Sequence, residues 1–277
     1  MKIKVENVKP NIGSIVHIER SALLDDAVAQ QCLDLLEARG VLVFPRIGLT
    51  DKEQLAFTDR LGTRVNYSKA APRGDADTED VYTITLDSKL NPEPEYVLGT
   101  FFWHMDGVFA DIPPPKASVL SARSVAPKGG QTEFASTYAA YEALPEDEMA
   151  EFAELRVVHS VAASMREFAS PDALPADRRG YTKEHPLVWT HESGRKSLVI
   201  GYTADRVVGM PQAEGRALLA RLLEWTAQPA FTYRHQWQEG DLVVWDNCGA
   251  LHRVIPYGRD SGRIMHRTSA AGVEAVG

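Results

Sequence analysis

Between Arg20 and Gly40 the apolar residues Leu23, Leu24, Val28, Cys32, Leu35 and Leu36 recur at helical spacing. Ser21 offers a cap at one end and Gly40 a stop at the other, so the pattern predicts a helix across this stretch. The run VLVFP that follows has no polar position and the length of a buried strand. TDKEQLAFTDRLG then returns to helical spacing, with Thr50 as its cap. From about Asp80 the pattern changes to short β-rich runs: DVYTITL, KASVLSARSV, RVVHSVAA, KSLVIGY, FTYRHQW, DLVVWDN and RIMHRTS. Two helical insertions interrupt them, STYAAYEALPEDEMAEFAEL and PQAEGRALLARLLEWTAQ, the second with Pro211 near its first turn. Residues 166–188 are rich in proline and charge and read as a loop. The expected architecture is one mainly β domain over residues 1–277, a sandwich or barrel with helices packed outside.

Composition narrows the function. The 277 residues carry a formal net charge of −8 and no lysine or arginine run, which argues against a nucleic-acid partner. No apolar segment approaches a membrane span. The opening MKIKVENVKPNIGS is charged and lacks the apolar stretch of a secretory leader. Cys32 and Cys248 stand alone, in neither a metal-type pair nor a disulfide framework. A cytoplasmic protein without a membrane partner is expected.

The chemistry concentrates in GTFFWHMDGVF, where His104 and Asp106 interrupt an apolar and aromatic run. In a strand, residues i and i+2 point to one face about 6–7 Å apart, so both side chains can meet one ion while Met105 points away. Imidazole and carboxylate together suit a borderline divalent metal, and a third ligand must come from elsewhere. The spacing is weak on its own, because a buried hydrogen-bonded pair satisfies it equally well. His17-Ile18-Glu19 has the same form without aromatic neighbours, and reads as surface. Of the eight histidines, His252 is the best third donor, since it follows an apolar strand and a turn. His159 reads as a satisfied core histidine, His235 and His266 as structural, and Trp245 as core. Pro256, Gly258 and Gly262 then reverse the chain, and Arg263, Met265 and Arg267 share one face of the returning strand. If that face is the inner one, two guanidinium groups need anions, so two anionic small molecules are expected beside the metal.

The segments WHMDGVF, PPKASVLSARSVAPKGGQTEF, AAYEALP and GDLVVWDNCGALHRVIPYGRDSGRIMHR together resemble the Fe(II)/2-oxoglutarate-dependent dioxygenases of the TauD/TfdA type. GGQTEF, AAYEALP, EGRALLARLLE and YRHQWQEGDLVVWDN make the chain more similar to the 2,4-dichlorophenoxyacetate dioxygenase branch than to taurine dioxygenase. The resemblance implies a double-stranded β-helix, or jelly roll, with His104, Asp106 and His252 holding Fe(II). It implies that Arg263 pairs with the distal carboxylate of 2-oxoglutarate and that Thr132 donates its hydroxyl to the same group. Arg267 and Lys69 would meet an anionic group on the substrate. The implied reaction consumes O2 and 2-oxoglutarate, releases succinate and CO2, and hydroxylates a small organic anion. A carboxylate is favoured, and an aryloxyalkanoate-like acid would undergo ether cleavage. The family also implies a homo-oligomer, a dimer or tetramer.

Two other readings stay open at this level. Another jelly-roll metalloenzyme, a hydrolase or an isomerase, would use the metal but have no use for Arg263. A non-catalytic protein would bind metal and 2-oxoglutarate without releasing succinate.

Overall fold

The computed structural model describes residues 3–65, 79–91, 94–110, 112–165 and 180–277. Helix α1 (Asp26–Arg39) buries Val28, Ala29, Cys32 and Leu36 and ends at Gly40, as the spacing predicts. Its cap is Asp25 rather than Ser21: the Asp25 side chain accepts from the main-chain nitrogens of Ala27 and Val28. Ser21 lies in a separate 3-10 turn, Arg20–Leu24, because Asp25 takes an extended conformation between the two. Helix α2 (Asp51–Leu61) starts with a capping box in which Thr50 and Glu53 satisfy one another's main-chain groups, a contribution of about 1 kcal/mol.

Seven strands build the larger sheet, in the order β1 (Lys4–Asn7), β2 (Ser14–His17), β3 (Val41–Phe44), β13 (Leu242–Asp246), β5 (Ala117–Ser124), β15 (Ile264–Ala270) and β4 (Tyr82–Ile84). Only the β2–β3 pair is parallel. A smaller sheet places β6 (Thr132–Ser136) between β12 (Thr232–His235) and β14 (Ala250–Val254). Alternation explains why the central strands have no polar face. Val41, Val43, Leu120, Val243, Trp245 and Met265 pack inward with Phe134 and Val254 of the smaller sheet. Leu42, Phe44, Val119, Leu242 and Val244 point the other way, against Val28, Cys32, Leu36 and Phe57 of the helices. Each fully buried side chain of this kind contributes about 1.5–3 kcal/mol. This is the jelly roll expected from the resemblance.

A second layer closes one side. Strands β7 (Arg156–Ser160), β8 (Thr182–Pro186) and β11 (Ala204–Val207) form one small sheet, and β9 (Val188–Thr190) and β10 (Lys196–Leu198) form a hairpin. Helices α4 (Thr137–Glu142), α5 (Glu146–Ala153) and α7 (Gln212–Thr226) lie against them, with Phe152, Leu219 and Leu222 reaching their core. Two short helices, α3 (Pro94–Leu98) and α6 (Val161–Met165), complete the described helices.

Three further expectations change. The insertion 136–155 is two helices, since Pro145 lacks an N–H and caps the second instead of continuing the first. The stretch read as a loop contains β8, which pairs residue by residue with β7. The stretch read as a buried strand around His104 is a single bridge followed by a turn, because Gly107 takes φ 74° directly after Asp106. No helix among the described residues is long and apolar enough to cross a membrane.

Candidate metal centre and substrate cavity

The segment 102–106 touches strand β14 at one residue pair, and that pair is His104 and His252. His104 N donates to His252 O at 3.0 Å and His252 N to His104 O at 2.9 Å. Residues paired this way project their side chains to the same side, and the two imidazole centroids lie 4.0 Å apart. Asp106 completes the group: Oδ1 is 3.9 Å from His104 Nε2 and Oδ2 is 3.6 Å from His252 Nε2. The three donor atoms lie within 4.8 Å of one another.

The donor chemistry fits a divalent cation. His104 Nδ1 lies 2.8 Å from Phe102 O, so the ring proton belongs there and Nε2 presents its lone pair. His252 has no such partner; its Nδ1 is buried without a hydrogen bond among the described residues, and packing against Trp245 at 4.7 Å orients the ring. Burial holds both imidazoles below their ordinary value, which keeps them neutral and able to ligate. Burial alone would raise the Asp106 carboxyl, but Arg267 and the two imidazoles outweigh it and hold the group well below the usual carboxylate range. Two neutral nitrogens and one carboxylate match the donor set of the facial triad of non-haem iron sites.

Asp106 is held from three directions. Arg267 Nη1 lies 3.2 and 3.1 Å from its two carboxylate oxygens, and Ser118 Oγ donates to Oδ2 at 3.3 Å. Its main chain meets Asn247, whose Oδ1 accepts from Asp106 N and whose Nδ2 donates to Asp106 O, both at 2.9 Å. Gly201 supports the neighbouring backbone: at φ 131° it leaves room for Trp103 O, which an added Cβ would meet at 3.0 Å.

Arg263 and Thr132 share a small cavity with His104, His252, Trp245 and Arg267. The Arg263 side chain is buried, and among the described residues its guanidinium meets only Tyr257, with Nη1 3.5 Å from the hydroxyl and the ring 4.8 Å away. Burial pushes its pKa down, although arginine stays charged at this depth. Such a guanidinium lacks the anion that its burial demands. Gly130, the second glycine of GGQT, makes room for it: at φ 77° its missing Cβ would stand 3.1 Å from Arg263 Cδ and Nε. Thr132 Oγ1 accepts from Trp237 Nε1 at 2.9 Å, so its own proton is free to be donated.

A larger cavity of about 300 Å³ opens on the other side of His104 and Asp106. Tyr82, Phe109, Tyr181 and Tyr202 line it, and among the described residues Arg267 is the cation in its wall. Tyr202 stacks on Phe102 at 5.9 Å and stands 5.7 Å from the His104 ring. His159 stays behind the wall, with Nδ1 2.9 Å from Thr203 Oγ1. His235 and His266 pair with Asp241 and Asp51 at 3.0 and 2.7 Å, and His17 is exposed. Lys69 lies outside the described residues. Sequence reasoning missed Asn247, Ser118, Trp237 and Tyr257, because none belongs to a spaced motif; Asn247 and Trp237 act on residues more than 100 positions away in the chain.

Comparison with known proteins assigns the chain to a family. The model of the family described as "Taurine catabolism dioxygenase TauD, TfdA family" matches residues 4–269. The chain is 39% identical over 247 residues to the alpha-ketoglutarate-dependent 2,4-dichlorophenoxyacetate dioxygenase of Cupriavidus pinatubonensis, covering 85% of each chain. It is 34% identical over 275 residues to the (S)-phenoxypropionate/alpha-ketoglutarate-dioxygenase of Sphingobium herbicidovorans, covering 94% of this chain and 92% of that one. The solved structure of AAD-2 in complex with Mn(II) and N-oxalylglycine superposes with a TM-score of 0.84 at 32% identity, over the whole of both chains.

Proposed function

The chain belongs to the TauD/TfdA family and is an Fe(II)- and 2-oxoglutarate-dependent dioxygenase, and from that premise we propose how its residues divide the work. His104, Asp106 and His252 hold the iron. Arg263 and Thr132 take the distal carboxylate of 2-oxoglutarate, and Arg267 takes the anionic group of an aryloxyalkanoate-like acid in the larger cavity. The observation that carries the reading is Arg263: a guanidinium with a single weak neutral partner among the described residues, in a cavity that also contains two of the proposed metal ligands.

Bound iron, with O2 and 2-oxoglutarate, supplies oxidative decarboxylation to succinate and CO2 and the insertion of one oxygen atom into a substrate C–H bond. The protein's own contribution is placement. Arg263 anchors the far end of the co-substrate through a fork that matches a carboxylate, and Thr132 adds its proton because Trp237 occupies its lone pair. Arg267 reaches both cavities, so one guanidinium borders the co-substrate and the substrate. It also steadies the Asp106 carboxylate. Tyr82, Phe109 and Tyr202 form an apolar wall that suits an aromatic body and excludes water from the reacting carbon. No side chain has to act as acid or base on the substrate. If the hydroxylated carbon carries an ether oxygen, the product is a hemiacetal, which collapses with cleavage of the C–O bond. Assembly as a homo-oligomer belongs to the same reading and is decided by light scattering.

The test is anaerobic addition of Fe(II) and 2-oxoglutarate, which raises a weak visible charge-transfer band. Screening aryloxyalkanoic acids for substrate-dependent succinate release in air then identifies the substrate. No band in the wild-type protein, or release that no organic acid stimulates, overturns the reading.

A further inference from the structure

The His104–His252 bridge is one residue pair wide. In an antiparallel ladder the next pair of the same kind lies two residues on, which would match Asp106 with Ala250. That pair does not form, because the chain turns at Asn247–Gly249 before β14 begins and turns again just after Asp106. On its N-terminal side the segment is also held where Tyr202 N donates to Trp103 O at 2.8 Å, but past His104 the ladder does not continue, and the Asp106 carboxylate two residues away would be free to swing. The Asn247 side chain replaces the absent pairing. Its carboxamide presents an acceptor and a donor side by side, as a peptide group does, and both meet the main chain of Asp106 at 2.9 Å.

Asn247 is itself anchored. It is fully buried, and its nitrogen donates to Lys116 O at 3.1 Å. Its neighbour Asp246 takes Cys248 N at 3.0 Å and Lys116 Nζ at 3.3 Å on its two carboxylate oxygens. These contacts tie Asn247 to the end of β13 in the larger sheet, the sheet that also carries Ser118 and Arg267. The backbone of Asp106 and its carboxylate oxygens are therefore referred to one framework, while His252 belongs to the other sheet.

We propose that Asn247 is a positioning residue for the metal centre, fixing the direction of the Asp106 carboxylate through the Asp106 main chain. The inference rests on the reading that His104, Asp106 and His252 hold the metal. It assigns Asn247 no contact with metal, co-substrate or substrate.

The experiment titrates Mn(II) into metal-free wild type, N247D, N247S, H252A and T58A, following free Mn(II) by electron paramagnetic resonance. N247D keeps an acceptor for Asp106 N but has no donor for Asp106 O, and the serine of N247S is too short to replace both. Circular dichroism melting of the metal-free proteins runs alongside. Thr58, equally buried and bonded to Thr268 Oγ1 at 2.7 Å, reports what loss of a buried hydrogen bond does to the fold alone. Both Asn247 variants are expected to stay folded and to bind Mn(II) about tenfold to a hundredfold more weakly. T58A is expected to melt lower and bind as the wild type does. N247D binding within about threefold of wild type overturns the inference, since outer contacts of real consequence weaken metal sites by more than that. So does collapse of both metal-free Asn247 variants, which would make the residue's first duty the fold. Wild type that takes up no Mn(II), or H252A that takes it up equally well, overturns the ligand reading instead.

Discussion

His104 and His252, 148 positions apart in the chain, exchange both main-chain hydrogen bonds and set their imidazole rings 4.0 Å apart. Main-chain pairing, rather than side-chain packing, decides that the two rings share a side. Replacing either side chain therefore leaves the pairing in place. His104→Ala and His252→Ala are each expected to keep the fold by circular dichroism while losing metal affinity by more than the roughly 10–100-fold that outer contacts contribute. The visible band with Fe(II) and 2-oxoglutarate disappears in both. A band that persists in either variant removes that histidine from the ligand set.

Arg263 separates a 2-oxoglutarate enzyme from other jelly-roll metal proteins. Truncating one partner of a buried charge pair costs about 2–5 kcal/mol, so Arg263→Ala should raise the KM for 2-oxoglutarate at least about 30-fold. Thr132→Val, which removes one hydrogen bond to a charged group worth about 1.5–3 kcal/mol, should raise it about tenfold or more. Steady-state succinate release measures both. An unchanged KM in Arg263→Ala would remove Arg263 from the co-substrate site.

Gly130 tests the same pocket from its backbone. A methyl group there would stand 3.1 Å from Arg263 Cδ and Nε, at φ 77°, a conformation that disfavours any side chain. Gly130→Ala is expected to lower the melting temperature, through about 1–3 kcal/mol of strain, and to raise the KM for 2-oxoglutarate without changing Mn(II) affinity. Equal loss of metal binding would mean that the two subsites are not separable.

Among the described residues, Arg267 is the cation that borders the larger cavity. Arg267→Gln should raise the KM for an anionic substrate more than about tenfold, on the usual worth of a charge-assisted hydrogen bond. Slow succinate release without substrate should survive. Measuring release with and without the acid distinguishes the two effects. An unchanged substrate KM would reduce Arg267 to a partner of Asp106.

His159 makes the metal-free protein sensitive to acid. Burial pushes its pKa down to about 3, against an ordinary 6.5. Between those values the unfolded chain binds a proton that the folded one does not, so stability is full above about pH 6.5 and falls as pH drops toward 3. Each such proton changes stability by about 1.4 kcal/mol per pH unit. Urea unfolding of the metal-free protein from pH 7 to 4 should show this slope, and His159→Gln should reduce it by about one proton. An identical slope in the variant would mean that His159 takes up its proton while folded.

Much of the chemistry was legible in one dimension. HxD, a later histidine and an arginine eleven positions beyond it pointed to residues that the fold gathers in one place, His104, Asp106 and His252 within 4.8 Å of one another and Arg263 in the cavity beside them. Helices α1 and α2 followed from apolar periodicity, and the Thr50 cap from local hydrogen-bonding chemistry that acts within four residues. Errors arose where two signals competed nearby. Ser21 and Asp25 are both capping residues, and only the path of the chain chooses between them. The strand expected around His104 had the right apolar pattern, but Gly107 ended it.

The sequence by itself determined which donors exist and in what order the chain delivers them. The tertiary structure alone decided that His104 pairs with His252, that Asn247 holds the main chain of Asp106, and that Trp237 frees the proton of Thr132. Those contacts join residues roughly 100 to 150 positions apart, through hydrogen bonds that any amide, indole or main chain can make. Local propensity reaches a few residues along a chain. Only the closing of two sheets over one core brings such groups within 3 Å.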